Sequence, residues 1–113
     1  MNLGANDMMS LPAEAAWITN YQGIIDATHI KWPLAKIYIS KPWTRNHDAD
    51  AITVAGRIDT LIAANSGFCF AADDESGWLK GADNGAAMTL DGVHYSTAGD
   101  TEKINQMVTV LGY

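Results

Sequence analysis

Apolar positions recur along this chain with two alternating periods. Over residues 12–30, Trp17, Tyr21, Ile24, Ile25 and Thr28 fall three or four apart, the spacing of one helix face. Ser10 and Pro12 mark the start of that helix and Pro33 its end. Residues 35–40, AKIYIS, are short, β-branched and aromatic, and Pro42 closes them, which predicts a strand. A polar loop leads to a second helix over about residues 51–64, with Asp48 or Asp50 as its cap. Its inner stripe is Ala51, Val54, Ala55, Ile58, Leu61 and Ile62, and Asn65 and Gly67 suit its C-terminal end. Residues 68–72, FCFAA, are apolar throughout, as in a strand covered on both faces. Residues 73–93 read as a long acidic, glycine-rich loop with a short turn at Trp78 and Leu79. A last helix begins near Ala98. Thr97 and Asp100 have the capping-box spacing, and Ile104, Met107, Val108 and Leu111 are its expected buried stripe.

This alternation predicts an α/β fold with a parallel sheet and right-handed crossovers. The 113 residues suffice for one domain. Only two or three parallel strands are available, counting a stub at the very start, which is thin for an open sheet.

Charge narrows the partners. Thirteen acidic residues against seven Lys plus Arg give a net charge of −6, and the cations form no cluster. Nucleic acid is therefore not an expected partner. No apolar run approaches the roughly 18 residues of a membrane span. The opening MNLGANDMM has neither a charged n-region nor an apolar h-region, so no signal peptide is read there. The expectation is a cytoplasmic chain, although a longer parent could be exported. The lone Cys69, between Phe68 and Phe70, reads as a small buried hydrophobe.

Candidate chemistry lies near both ends. In MTLDGVHYSTAG, residues 88–99, Asp91 and His94 stand three apart before the last helix. Histidine is the usual general base near neutral pH, and a carboxylate on one ring nitrogen fixes its tautomer. Gly92 eases the turn that lets Asp91 reach His94. Near the start, Gly4-Ala5-Asn6-Asp7 leads into the first helix, and an Asn amide there can donate to an oxyanion. Each motif alone also fits an ordinary turn. Trp43, Arg45 and His47 follow a strand end, where open α/β sheets place ligands, so Trp43 and Arg45 are candidate substrate contacts. Asp73, Asp74 and Glu75 lack the spacing of a calcium loop, and no metal site is assigned. His29 reads as a partner of the first helix's C-terminal dipole and Tyr95 as packing.

Taken together, G-x-N-D early, two α/β units, and D-x-x-H before a closing helix resemble the C-terminal part of the SGNH, or GDSL, hydrolases. The resemblance spans essentially the whole chain. It implies a truncated flavodoxin-like three-layer α/β/α sandwich and hydrolysis of carboxylic esters, including acetyl esters of carbohydrates. It makes Asp91 and His94 the acid and base of a triad and Asn6 an oxyanion donor, and it implies no metal or organic cofactor. The family's nucleophile sits in a G-D-S block. None of Ser10, Ser40, Ser66, Ser76 or Ser96 has that setting. The chain thus reads as a hydrolase fragment without its serine, inactive alone. The alternative reading is a non-catalytic oligomerising or binding protein built on the truncated fold.

A sheet lacking two strands exposes backbone donors and acceptors and uncovers apolar helix faces. A homo-oligomer, first of all a dimer through the exposed sheet edge, or docking of the missing N-terminal half would cover them. Size-exclusion chromatography with light scattering is expected to give a dimer or larger species. A stable monomer at micromolar concentration would contradict self-pairing.

Overall fold

Two strands, β1 (Ile37–Lys41) and β2 (Cys69–Asp74), run parallel and carry the rest of the chain around them. The computed structural model describes Met1, residues 4–80 and residues 86–113. The helices are α1 (Glu14–Lys31), α2 (Asp48–Ala64), the single turn α3 (Glu75–Trp78) and α4 (Thr97–Leu111). A 3-10 turn, Asn6–Met9, precedes α1. The mixed α/β class and the order of elements agree with the periodicity. No helix among the described residues is long and apolar enough to cross a membrane.

The helix α2 joins the two strands and packs on both, with α1 against it. Its stripe of Ala51, Val54, Ile58 and Leu61 is buried as the sequence predicts, and Ala55 and Ile62 are half-buried. These meet Ile37, Ile39 and Cys69 from the sheet and Trp17 and Ile25 from α1. Full burial of each such aliphatic side chain stabilises by about 1.5–3 kcal/mol. The expected stripe of α1 is realised only in part: Trp17 and Ile25 are buried, whereas Ile24 is 44% exposed. At the other end of the strands, His29 stacks on Phe68 with ring centroids 3.7 Å apart.

An irregularity in the sheet decides where two acids point. Ile37, Tyr38 and Ile39 pair with Cys69, Phe70 and Ala71, but Lys41 pairs with Asp74. Two steps along β1 therefore match three along β2, so Ala72 and Asp73 together oppose Ser40. An extra residue of this kind re-aims the side chains that follow it. Asp73 thereby joins Ser40 beneath α4, where Lys103 donates to Ser40 Oγ (3.0 Å) and to both Asp73 oxygens (2.8 and 2.9 Å). α4 packs on β2.

Several expectations need correction. Asp73 and Asp74 belong to β2, and Glu75 opens α3 rather than lying in a loop. Part of the predicted loop, residues 81–85, and residues 2–3 of the predicted strand stub lie outside the described residues. Beside the stub, Ser40 N donates to Met1 O (2.9 Å). β2 is not covered on both faces, for Ala71 is exposed and Phe70 only half-buried. α2 begins at Asp48 with no side-chain cap, because Asp48 is taken by Trp43 Nε1 and Lys80. The cap of α4 is Ser96, whose Oγ accepts from Gly99 N, not the Thr97–Asp100 box. Its supposed buried stripe is largely exposed: Ile104 62%, Val108 40% and Leu111 43%. With so small a sheet, α4 finds too little apolar surface to cover that face.

Gly99 shows how closely α4 seats. A Cβ there would lie 2.0 Å from Met88 O. Gly→Ala in a helix normally stabilises by about 0.5–1 kcal/mol. Here Gly99→Ala is expected to destabilise by about 1–3 kcal/mol through overpacking, read as a lower urea midpoint. A raised midpoint would contradict this seating of α4.

Candidate functional site

Residues 88–96 form a tight excursion closed on itself. Thr89 and Tyr95 make an antiparallel bridge, Leu90 N donates to His94 O (2.8 Å), and Ser96 N donates to Met88 O (2.8 Å). At its tip, Asp91 Oδ1 accepts from the backbone N–H groups of Val93 (2.9 Å) and His94 (2.8 Å). Asp91 Oδ2 lies 2.7 Å from His94 Nδ1. An ionised carboxylate only accepts, so this contact selects the tautomer with the proton on Nδ1 and leaves Nε2 with a free lone pair. The His94 N–H, the imidazole and the Val93 N–H hold the Asp91 carboxyl well below the usual carboxylate range. Both side chains are open to solvent, His94 at 76% and Asp91 at 55%.

The turn is clamped from behind by the loop after β1. Gly92 has φ +95°, and its O accepts from Arg45 N (2.9 Å). A Cβ on Gly92 would stand 2.9 Å from Arg45 Cβ, so glycine is required both for conformation and for space. Thr89 Oγ1 accepts from Gly92 N (3.2 Å) and from Arg45 Nη2 (2.8 Å). The guanidinium of Arg45, a candidate substrate contact, is thus engaged in holding the turn.

The other sequence candidates are placed as follows. Asn6 is exposed at the start of the 3-10 turn. That turn is fixed by Asp7, whose Oδ2 accepts from Trp17 Nε1 and Tyr21 OH, both at 2.7 Å. Burial, with the Asp7 carboxylate beside it, pushes the Tyr21 hydroxyl up to about 12. Ala5 O accepts from Thr44 Oγ1 (3.4 Å). The segment Trp43-Thr44-Arg45 is therefore bonded to the Asn6 turn on one side and to the Asp91–His94 turn on the other. Trp43 is 2% exposed and donates to Asp48 Oδ1 (2.7 Å). It lines a cleft of about 430 Å³ with Pro42, Asp48, Ala51, Ile52 and Lys80; Asp91, His94, Asn6 and Arg45 are not among the lining residues. His47 Nδ1 lies 3.2 Å from Asp50.

Three serines are engaged elsewhere: Ser40 with Lys103, Ser76 with Asp74, and Ser96 with Ala87 O (3.0 Å). None of these contacts reaches His94.

Sequence reasoning missed Glu75 and Lys103. Glu75 is 1% exposed, with Oε2 accepting from Trp43 N (3.0 Å) and Oε1 accepting from Tyr95 OH and Lys103 Nζ (2.7 Å). Tyr95, read as packing, thus also carries a part-buried hydrogen bond. For Asp73, burial alone would raise the carboxyl, but hydrogen bonds from Lys103, Ser40 and Trp78 outweigh it and hold it low. The signal available in the sequence was an acidic run directly after an apolar strand, where burial demands a cation on a facing helix.

Asp91 and Asp73 both have folded-state values below the unfolded one. Their contributions are present above the ordinary Asp value of about 3.9 and fade as pH falls below it. The urea midpoint is therefore expected to hold from pH 7 to about 5 and then drop. Asp91→Asn should flatten that acid limb, and an unchanged slope would contradict the Asp91 contacts. No family model, no curated protein and no solved structure matches this chain.

Proposed function

We propose that this chain is the C-terminal part of a serine ester hydrolase of the SGNH type, acting on carboxylic esters or acetyl esters of carbohydrates. The observation that carries the reading is the 2.7 Å Asp91–His94 contact on a clamped turn, with the distal ring nitrogen open to solvent. The turn is tied to the loop leaving β1, at the carboxyl end of parallel strands, where open α/β sheets bind ligands. Ile37 and Ile39 lie in the core with α2, whereas Ser40 and Asp73 meet Lys103 of α4. Helices on opposite sides of the sheet support the flavodoxin-like three-layer arrangement.

The mechanism follows from these positions. His94 Nε2 takes the proton from a serine hydroxyl outside these 113 residues as that oxygen attacks the ester carbonyl. Asp91 steadies the imidazolium and keeps the ring oriented. The Asn6 amide donates to the oxyanion of the tetrahedral intermediate. The imidazolium then protonates the departing alcohol, and water releases the acyl group by the same route. In this reading Arg45 acts by holding the turn rather than by touching substrate, and no cofactor enters any step.

One observation favours a second reading, a non-catalytic assembly module. The α4 stripe of Ile104, Val108 and Leu111 is exposed, as is Tyr113 at 92%. In that reading a second copy covers this face, and the Asp91–His94 pair has no chemical role.

A short-chain nitrophenyl ester discriminates. The chain alone is expected to show background turnover. Supplying a polypeptide with a G-D-S strand and its following helix should raise turnover, and His94→Ala should then remove that gain, a loss of up to about 10⁶-fold. Turnover by the chain alone that exceeds the uncatalysed background and survives His94→Ala would overturn the assignment of His94 as base.

A further inference from the structure

Resting on the hydrolase reading, we infer that Glu75 is a positioning residue for the Asp91–His94 pair and that Lys103 anchors Glu75 in place. The Glu75 side chain bonds directly to both supports of the turn. Its Oε1 accepts from the hydroxyl of Tyr95, the residue following His94. Its Oε2 accepts from the backbone N–H of Trp43, two residues before the Arg45 N–H that holds Gly92 O. The C-terminal flank of the turn and the segment clamping its tip therefore hang on one buried carboxylate.

Burial makes this frame stiff. Glu75 is 1% exposed, and a buried carboxylate is costly unless it is charge-paired and hydrogen-bonded. Lys103 Nζ supplies the charge at 2.7 Å from Glu75 while also bridging Asp73 and Ser40. One ammonium thus ties α4, β1, β2 and α3 together and keeps Glu75 an acceptor for two donors. A neutral Glu or Gln would present one acceptor oxygen where two are used. Loss of either bond loosens the turn, so that Asp91 Oδ2 meets His94 Nδ1 for a smaller fraction of the time and the preference for the Nδ1–H form weakens.

The test reads the imidazoles directly. Nitrogen-15 spectra of the three histidines, above their titration range, give the ratio of Nδ1–H to Nε2–H forms. In the unaltered chain, His94 is expected to be mainly Nδ1–H. Glu75→Gln and the milder Tyr95→Phe should each lower its ratio at least twofold, with His29 and His47 unchanged. A merely structural loosening would move His29, stacked on Phe68, as well. If His94 is mainly Nδ1–H in the unaltered chain and both variants, folded by circular dichroism, keep that ratio, Glu75 has no positioning role while the hydrolase reading stands. If His94 is mainly Nε2–H in the unaltered chain, the hydrolase reading falls and the role of Glu75 falls with it.

Discussion

The hydrogen bond from Arg45 N to Gly92 O is the constraint on which the site depends. It joins the loop that leaves β1 to a turn 47 residues later, across a sheet with two strands among the described residues. Without it, the tip that carries Asp91 and His94 would be held only at its flanks, where Thr89 meets Arg45 and Tyr95 meets Glu75. With it, the pair sits at a defined place beside the strand end, against the segment whose Thr44 also bonds to Ala5 O. Gly92 is what permits the contact, since any side chain there would collide with Arg45 Cβ. The glycine is thus part of the site although it carries no reactive group.

A second constraint is electrostatic. Two carboxylates, Asp73 and Glu75, are nearly inaccessible to water, and one ammonium serves both. Removing one partner of such a group leaves an uncompensated buried charge, which costs about 3–5 kcal/mol. The irregular pairing in β2 makes the arrangement possible by turning Asp73 toward α4. α4 has only a small apolar contact with the sheet, so this network supplies much of what fixes its position. The network also explains how a helix with exposed Ile104, Val108 and Leu111 stays seated.

The sequence made the framework legible because burial on α2 and in β1 follows the simple periods of helix and strand. Ala51, Val54, Ile58 and Leu61 lie where a 3.6-residue repeat places them. The Asp91–His94 contact was equally legible, since a three-residue spacing with glycine between is a local matter. What could not be read was non-local. The pairing of Lys103 with Asp73 and Glu75 spans some thirty residues and depends on a strand irregularity that alternation does not reveal. The stripe on α4 looked buried because periodicity reports which side chains share a face, not whether anything is available to cover it. Trp43 looked like a loop residue facing substrate, whereas its indole is packed away and bonded to Asp48.

The most direct measurement is the scalar coupling across the Arg45 N–H to Gly92 C=O hydrogen bond, by nuclear magnetic resonance on labelled protein. A resolved coupling between Arg45 nitrogen and Gly92 carbonyl carbon is expected, with slow exchange of that amide with solvent. An Arg45 amide that shows no such coupling and exchanges at the rate of an unfolded chain would contradict this constraint.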